Sequence, residues 1–427
     1  MRAQKPRQIA ARLLARAGED GEFIESSIDR DLAESGLERA DRALCQNLVY
    51  GVVRWRRTLD WLIARKATRP PTKPALAAVL RLGLYQMFWL DRVPDHAAVN
   101  DAVELAKEMG ARNQAGFVNA TLRSCGRERA EIEKLLAGLK TEQPALGFSH
   151  PDWLCERWQA RWGADETAKL LEWDNLPAPA FARLNALKTD AATLEQAWAK
   201  EGLEWMEIQR DWTGRARIYQ LSFLPSAGQL ASFRNGWFYV QDPSTLLAVH
   251  QLAPKPGETI LDMCAAPGGK TFFAAQLMEN RGRIVARDGH ESRLSLLREN
   301  RERLGTGCVE INPAGPEPSR FDGILVDAPC SNTGVLRRRV EARWRVQPAE
   351  IERLGRAQAG LLRQAAPLLK KGGRLVYSTC SLETDENENV VQNFLGEFPE
   401  FKCLTERTLL PFRDQTDGAF VAVLGKG

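Results

Sequence analysis

From Gly236 onwards, short apolar runs alternate with longer segments of helical spacing, and this alternation constrains the fold more than any other feature. The runs are ETILDMC, GRIVARD, CVEIN, FDGILVDAP and GRLVYSTC, and the clearest helical segments are ESRLSLLRENRERLG and EIERLGRAQAGLLRQAAPLLKKGG. The pattern predicts a parallel sheet with helices on both faces. We expect EFKCLTE and GAFVAVL to add the final strands. Ligands of such sheets bind beyond the carboxyl ends of the strands, near the point where strand order reverses.

The first 140 residues have helical spacing almost throughout. In RALCQNLVYGVVRWRRTLDWLIARK, the apolar residues Leu44, Leu48, Val52 and Trp55 fall on one helix face. ALAAVLRLGLYQMFWL is apolar nearly all round, as the central helix of a bundle would be. Short loops between these segments predict a compact helical bundle.

The basic N-terminus, MRAQKPRQIAARLLARAG, has some character of a transit peptide. We favour the alternative, an amphipathic first helix of the bundle, because Ile9, Leu13 and Leu14 recur at helical spacing.

Residues 141–235 mix the two kinds of element. AFARLNAL resembles a strand and DAATLEQAWAKEGLE a helix, with prolines between the segments. We therefore expect three domains: a helical bundle over residues 1–140, a small mixed α/β module over 141–235, and an α/β domain over 236–427.

Composition restricts the kinds of partner. A formal charge of +4 over 427 residues leaves nucleic-acid contact to local arginine clusters. The eight cysteines form no C-x-x-C pair, so we expect reduced thiols in a cytoplasmic protein without a metal site. The four histidines are scattered, and we expect them at helix caps or on the surface. No apolar run is long enough to span a bilayer. We expect a monomer.

The segment ILDMCAAPGGKT reads as a strand, a tight turn of small residues and a helix start. Gly268 and Gly269 let a ligand approach the backbone closely. A phosphate loop is excluded because Cys264 stands where that motif needs glycine. Asp262 ends the strand and Asp288 ends the next one, where an acid accepts both hydroxyls of a ribose. The pattern favours a nucleoside cofactor.

Two further strands end in cysteine motifs, DAPCS and STCS. Carbon 5 of a pyrimidine attacks an electrophilic methyl group only after a thiolate has added to carbon 6. That chemistry calls for an activated thiol, a group that bonds the ring, and a proton acceptor for release. Cys330, Cys380 and Asp327 supply such groups on what should be neighbouring strand ends. We expect the other six cysteines to be inert.

The motifs LDMCAAPGGKT, FDGILVDAPCSNTGVLRRR and GGRLVYSTCSLETDENENVV resemble those of the RNA cytosine-5 methyltransferases of the Nol1/Nop2/Sun family. LRLGLYQMFWLDRVPDHAAVNDAVELAK and GFVNATLR resemble the helical RNA-binding domain of the NusB family. The resemblance implies an all-α NusB-like bundle, the small α/β linker module, and a Rossmann-like methyltransferase domain that uses S-adenosylmethionine. It covers nearly the whole chain.

Carried over residue by residue, the resemblance implies catalytic roles for four side chains. Cys380 would be the nucleophile that adds to carbon 6, and Cys330 would help to release the product. Asp327 would hold the ring at nitrogen 3, and Lys270 would lie near the target nucleotide. The residues implied at S-adenosylmethionine are Cys264, Ala265, Ala266, Pro267, Gly268, Gly269, Lys270, Asp288, Asn312 and Asp327.

Three departures from the family pattern stand out. Asn312 and Pro313 occupy the place of an aspartate near the adenine, and the amide of Asn312 is the group there that can hydrogen-bond the adenine edge. Arg287 precedes the ribose acid. RRRVEARWR stands where the family has a segment similar to Arg-His-Pro-Asp, and we expect its arginines to contact phosphates. These arginines are Arg337, Arg338, Arg339, Arg343 and Arg345.

Three functions remain open. The first is methylation of carbon 5 of a specific cytosine in small-subunit (16S) ribosomal RNA, free or in an early assembly particle. The second is the same chemistry on transfer RNA, which the catalytic motifs do not distinguish. The third is a catalytically weak RNA-binding or assembly factor, supported only by the missing adenine acid. For either enzyme, the target base must leave its stack to reach the thiols.

Overall fold

A computed structural model describes residues 5–17, 22–67, 70–224, 226–311 and 320–427. The chain forms two compact units. One contains Met1–Leu176 with Leu336–Arg345, and the other contains Pro177–Val335 with Val346–Gly427. The three-domain division at residues 140 and 235 stays a prediction.

The helices of the described residues fall into a long N-terminal series and a series that alternates with strands. They are α1 Pro6–Arg16, α2 Ile24–Glu34, α3 Arg39–Arg54, α4 Arg56–Lys66, α5 Pro74–Trp89, α6 Asp95–Glu108, α7 Ala115–Arg127, α8 Arg129–Glu142, α9 Pro144–Gly147, α10 Asp152–Trp162, α11 Ala164–Trp173, α12 Ala191–Glu201, α13 Ala231–Arg234, α14 Leu246–Leu252, α15 Gly269–Leu277, α16 Glu291–Leu304, α17 Ala342–Arg345, α18 Pro348–Ala365, α19 Glu388–Glu397 and α20 Pro411–Asp414. Over these same ranges, no helix is both long and apolar enough to cross a bilayer.

All strands of the residues that the structure describes lie in the second unit. They are β1 Ala180–Leu184, β2 Trp205–Ile208, β3 Ile218–Leu221, β4 Phe238–Val240, β5 Thr259–Asp262, β6 Arg283–Ala286, β7 Val309–Ile311, β8 Phe321–Asp327, β9 Leu369–Thr379, β10 Phe401–Leu409 and β11 Ala419–Lys426.

The first unit is a helical bundle around α5. Both faces of α5 are buried, as its nearly continuous apolar sequence predicts. Helix α3 approaches α5 closely at Gly51, where a Cβ atom would lie 2.0 Å from Cζ of Tyr85. Ile9 and Leu13 of α1 are buried in the same core, which confirms the amphipathic first helix.

The segment Leu336–Arg345 packs within the helical unit, and this corrects the expectation that its arginines serve as a phosphate-binding group. Arg343 is fully buried, and Arg337 is 5% exposed and lies over the ring of Trp173. Arg345 pairs with Glu341. Among the five arginines, Arg339 has an exposed side chain. The prediction of phosphate contacts was wrong because it assumed that a run of arginines lies on a solvated surface, as such runs usually do.

A buried polar cluster surrounds Arg343. Its guanidinium donates to Asn175 Oδ1 at 2.9 Å and to the carbonyl of Asp174 at 3.0 Å, with longer bonds to the carbonyls of Ser149 and Leu336. His150 is also fully buried, which corrects its expected place at a cap or on the surface. Burial and the nearby charge of Arg343 lower the pKa of His150 well below its usual value.

The second unit contains two sheets. The smaller one is antiparallel, in the order β2-β3-β1-β4, and Trp198 of α12 packs on it against Tyr219 and Phe238. The larger has the order β10-β11-β9-β8-β5-β6-β7, with β5 to β9 parallel and with β10 and β11 antiparallel, so the predicted closing strands are confirmed. The chain runs outward from β5 to β7 and then returns to β8 on the other side of β5. Strand order therefore reverses between β5 and β8.

One helix is shorter than its sequence predicts. The segment EIERLGRAQAGLLRQAAPLLKKGG leaves the α-helix after Ala365, and Leu369 already begins β9. Pro367 explains the difference because proline disfavours helical geometry in the residue before it and donates no backbone hydrogen bond.

The predicted fold class is confirmed. An all-α bundle accompanies a doubly wound α/β domain whose order reversal marks the expected ligand edge.

Candidate active site

The polar residues predicted from the motifs meet at the carboxyl edge of the large sheet. Asp262 ends β5 and Asp327 ends β8. In the parallel register Asp262 pairs with Leu325, and Asp327 pairs with Ser378 of β9. The three strands are consecutive in the sheet, and they flank the point of order reversal.

The two motif cysteines are in contact. Sγ of Cys330 lies 3.2 Å from Sγ of Cys380, and the Cys380 thiol also lies 3.2 Å from Oδ1 of Asn332. Asn332 has a φ of 63°, a left-handed conformation that asparagine tolerates and that turns its side chain back to the thiol. The hydrogen bond from Cys380, together with burial, raises the pKa of Cys330 well above its usual value.

Lys270 and Asp327 form an ion pair beside the cysteines. Nζ of Lys270 lies 2.6 Å from Oδ2 of Asp327, and the hydroxyl of Ser378 donates to Oδ1 at 2.8 Å. Burial works against the charged ammonium, but the charge of Asp327 and its hydrogen bond outweigh burial and raise the pKa of Lys270. The negative charge of a Cys380 thiolate contributes to the same rise in the pKa of Lys270.

Asp262 supports the turn that follows β5. Its carboxylate accepts from the hydroxyl of Thr271 at 2.7 Å and from the backbone N–H of Cys264 at 3.3 Å. Burial raises the pKa of Asp262 to about 7. Burial also raises the pKa of Cys264, so this cysteine stays a thiol, in keeping with the expectation that it is inert.

The turn at residues 263–268 and Asp288 fit a nucleoside. Asp288 follows β6, and its carboxylate accepts long hydrogen bonds from the backbone N–H groups of Ala266 (3.3 Å) and His290 (3.2 Å). Each carboxylate oxygen has two lone pairs, so acceptor capacity remains for the two hydroxyls of a ribose. Arg293 lies 3.5 Å from Asp288 and donates to the carbonyl of Ala266 at 2.7 Å, tying the acid to the turn.

Most of the predicted residues therefore converge on this edge. Asn312 and Pro313 lie outside the described residues, so the adenine contact stays a prediction. Sequence reasoning missed Asn332, Arg293 and Glu386. No local signal in the sequence pointed to Glu386, although the serines of both DAPCS and STCS bond to its carboxylate.

Three family models match the chain. Residues 249–425 match the 16S rRNA methyltransferase RsmB/F model, and residues 4–127 match the NusB family model. Residues 150–210 match a ferredoxin-like domain of RsmF/B-like methyltransferases.

Curated relatives match over essentially the full length. A probable ribosomal RNA small subunit methyltransferase B of Bacillus subtilis is 34% identical, with 100% of both chains covered. The corresponding probable protein of Synechocystis is 38% identical, covering 98% of this chain and 99% of the relative. The ribosomal RNA small subunit methyltransferase B of Escherichia coli O157:H7 is 33% identical over 98% of each chain.

Two solved structures share the fold. The crystal structure of the protein PH0851 has a TM-score of 0.80 at 26% identity, covering 99% of this chain and 100% of that one. A methyltransferase homolog from Pyrococcus horikoshii has a TM-score of 0.58 at 32% identity, covering 66% of this chain and 97% of that one. The chain thus belongs to the ribosomal RNA small subunit methyltransferase B family of S-adenosylmethionine-dependent enzymes.

Proposed function

We propose that the protein methylates carbon 5 of a specific cytosine in small-subunit ribosomal RNA through a covalent bond between a cysteine and carbon 6. The observation that carries the proposal is the 3.2 Å contact between the sulfurs of Cys330 and Cys380. The two thiols come from adjacent parallel strands, beside the order reversal where ligands of such sheets bind.

Cys380 is the nucleophile in this proposal. Its thiolate adds to carbon 6, so that carbon 5 becomes electron-rich enough to attack a methyl group. Asp327, held by Lys270 and Ser378, accepts a hydrogen bond from nitrogen 3 of the base, which takes up a proton from water as the thiolate adds to carbon 6.

Cys330 serves the release step. Two thiolates in contact would repel strongly, so only one sulfur of the pair ionises at a time. The raised pKa of Cys330 keeps it protonated while Cys380 attacks. After methyl transfer Cys380 is bonded to carbon 6 and carries no charge, so Cys330 can lose its proton to water. Its thiolate then takes the proton from carbon 5 as the double bond between carbons 5 and 6 re-forms and Cys380 leaves as a thiolate.

S-adenosylmethionine supplies an electrophilic methyl group when it is bound. The backbone of residues 264–270 and the carboxylate of Asp288 would hold it, with Asp327 at the border between cofactor and base. Asn312 remains the candidate for the adenine edge.

The substrate is ribosomal RNA, free or in an early assembly particle, with the target base extruded from its stack. Names of the relatives over the full length support ribosomal rather than transfer RNA. Base extrusion follows from the site, because a stacked base cannot bring carbon 6 to a thiol at a sheet edge.

The test uses labelled S-adenosylmethionine with 16S ribosomal RNA that lacks its native modifications. We expect labelled 5-methylcytosine at one position after nuclease digestion and mass spectrometry. Transfer RNA serves as the competing substrate. Label in transfer RNA alone would overturn the assignment of ribosomal RNA as the substrate. No label in any RNA would favour the alternative that the protein is an RNA-binding or assembly factor.

A further inference from the structure

Each active-site cysteine is followed by a serine, and the two serines share one partner. The hydroxyl of Ser331 and the hydroxyl of Ser381 both donate to Oε2 of Glu386. The two hydroxyl oxygens lie 3.1 Å apart. One carboxylate therefore joins the loop that carries Cys330 to the loop that carries Cys380.

The other oxygen of Glu386 fixes the first loop further. Oε1 accepts from the backbone N–H of Ser331 at 2.9 Å and from Nε2 of Gln358 at 3.1 Å. Gln358 also donates to the carbonyl of Pro329 at 2.9 Å. The residues on both sides of Cys330 are thus bonded into one network.

Glu386 is itself held in place. Its side chain is fully buried, and the hydroxyl of Tyr377 donates to its backbone carbonyl. Burial raises the pKa of Glu386, and the four donors around its carboxylate partly offset that rise. With its oxygens satisfied in this way, Glu386 is not placed to exchange a proton with substrate, and its contribution is geometric.

We propose that Glu386 is a positioning residue that sets the separation of the two active-site sulfurs through Ser331 and Ser381. The inference rests on the proposed function for its consequence, since nucleophile and release group must reach the same base. Its geometric part does not depend on that function. A displacement of about 1 Å between reacting groups can lower a rate by about a hundredfold.

The first experiment measures the sulfur separation chemically. In the full-length protein, diamide accepts the two protons and two electrons that Cys330 and Cys380 lose when an S–S bond replaces their two S–H bonds. The rate is followed by mass spectrometry of the linked peptides. We expect Glu386→Ala to slow this step about tenfold or more. Glu386→Gln should stay close to wild type, because its amide keeps the shape and the serine hydroxyls can turn to accept from it.

Ser232→Ala is the matched control. Ser232 is buried and bonds Glu201 in the same way, with its N–H at 2.9 Å from Oε1 and its hydroxyl at 2.5 Å from Oε2, but it lies on α13. The control should leave the disulfide rate unchanged. If Glu386→Ala does not fold, the double variant Ser331→Ala, Ser381→Ala replaces it, since it removes only two hydroxyl groups.

The second experiment measures methyl transfer in the same variants. We expect kcat of Glu386→Ala to fall about a hundredfold with KM for S-adenosylmethionine unchanged, and Glu386→Gln to recover most of the loss. A folded Glu386→Ala variant, or the double variant in its place, with a wild-type disulfide rate would overturn the inference. Equal slowing in Ser232→Ala would also overturn it. If the wild type methylates no RNA while the disulfide rates separate as expected, the proposed function fails and the geometric inference stands.

Discussion

Arg343→Met should strongly destabilise the helical unit. Arg343 is fully buried, and its guanidinium bonds four acceptors: the carbonyls of Ser149, Asp174 and Leu336 and the amide oxygen of Asn175. Methionine fills similar space but donates no hydrogen bond. The substitution leaves these acceptors buried and removes a positive charge that interacts with the buried Asp174 carboxylate.

The size of the effect follows from these contacts. Four bonds at about 1 kcal/mol each give a loss of about 4 kcal/mol in the free energy of unfolding. Removal of one partner from a buried ionic group gives a similar value, about 3–5 kcal/mol. For a unit of this size the midpoint of thermal unfolding should fall by roughly 10 °C.

Differential scanning calorimetry of the full-length variant measures the change. Arg339→Met is the control, since that side chain is exposed in the same segment and its loss should cost less than about 0.5 kcal/mol. An Arg343→Met protein that melts within a degree or two of wild type would refute the assignment of this arginine to the core.

Three further predictions test other parts of the structure. Asp288→Asn should weaken S-adenosylmethionine binding about 10- to 100-fold by calorimetric titration, because a charged acceptor of the ribose is lost; unchanged affinity would contradict its role. Below about pH 6.5 His150 is protonated in the unfolded chain but stays neutral in the folded protein, because its pKa is lowered there. The free energy of unfolding should therefore decrease by up to about 1.4 kcal/mol for each unit by which the pH is lowered. In His150→Gln the free energy of unfolding should depend less on pH by this amount. A pH profile identical to that of the wild type would contradict the prediction. Gly51→Ala should lower the free energy of unfolding by about 1–3 kcal/mol, since its methyl group would overlap Tyr85. Gly116 of α7 has open space around it, so Gly116→Ala should leave the free energy of unfolding unchanged or raise it. Equal decreases in the free energy of unfolding for the two variants would contradict the close approach of α3 to α5.

The large sheet and its cysteines were predictable because their signals are local. Each strand is a short apolar run, and the alternation with helices fixes which ends of the strands share an edge. The contact between Cys330 and Cys380 followed from that rule, and the structure places the sulfurs at 3.2 Å.

The roles of Arg343 and Glu386 were not predictable from their surroundings in the chain. RRRVEARWR and ETDENENVV are both rich in charged residues, which are usually solvated. Arg343 is buried because carbonyls of residues 149 and 174, far away in sequence, accept its hydrogen bonds. Glu386 is buried because donors from three separate segments converge on it. Such long-range satisfaction of polar groups becomes visible only in three dimensions.

The central claim is that Cys380 bonds the target base and Cys330 frees it. Its most direct test is to incubate Cys330→Ala with S-adenosylmethionine and 16S ribosomal RNA, then map any protein–RNA bond by mass spectrometry. The account predicts a stable adduct on the peptide that contains Cys380, and none with Cys380→Ala. An adduct trapped by Cys380→Ala instead, or no adduct in a Cys330→Ala protein that still methylates RNA, would contradict it.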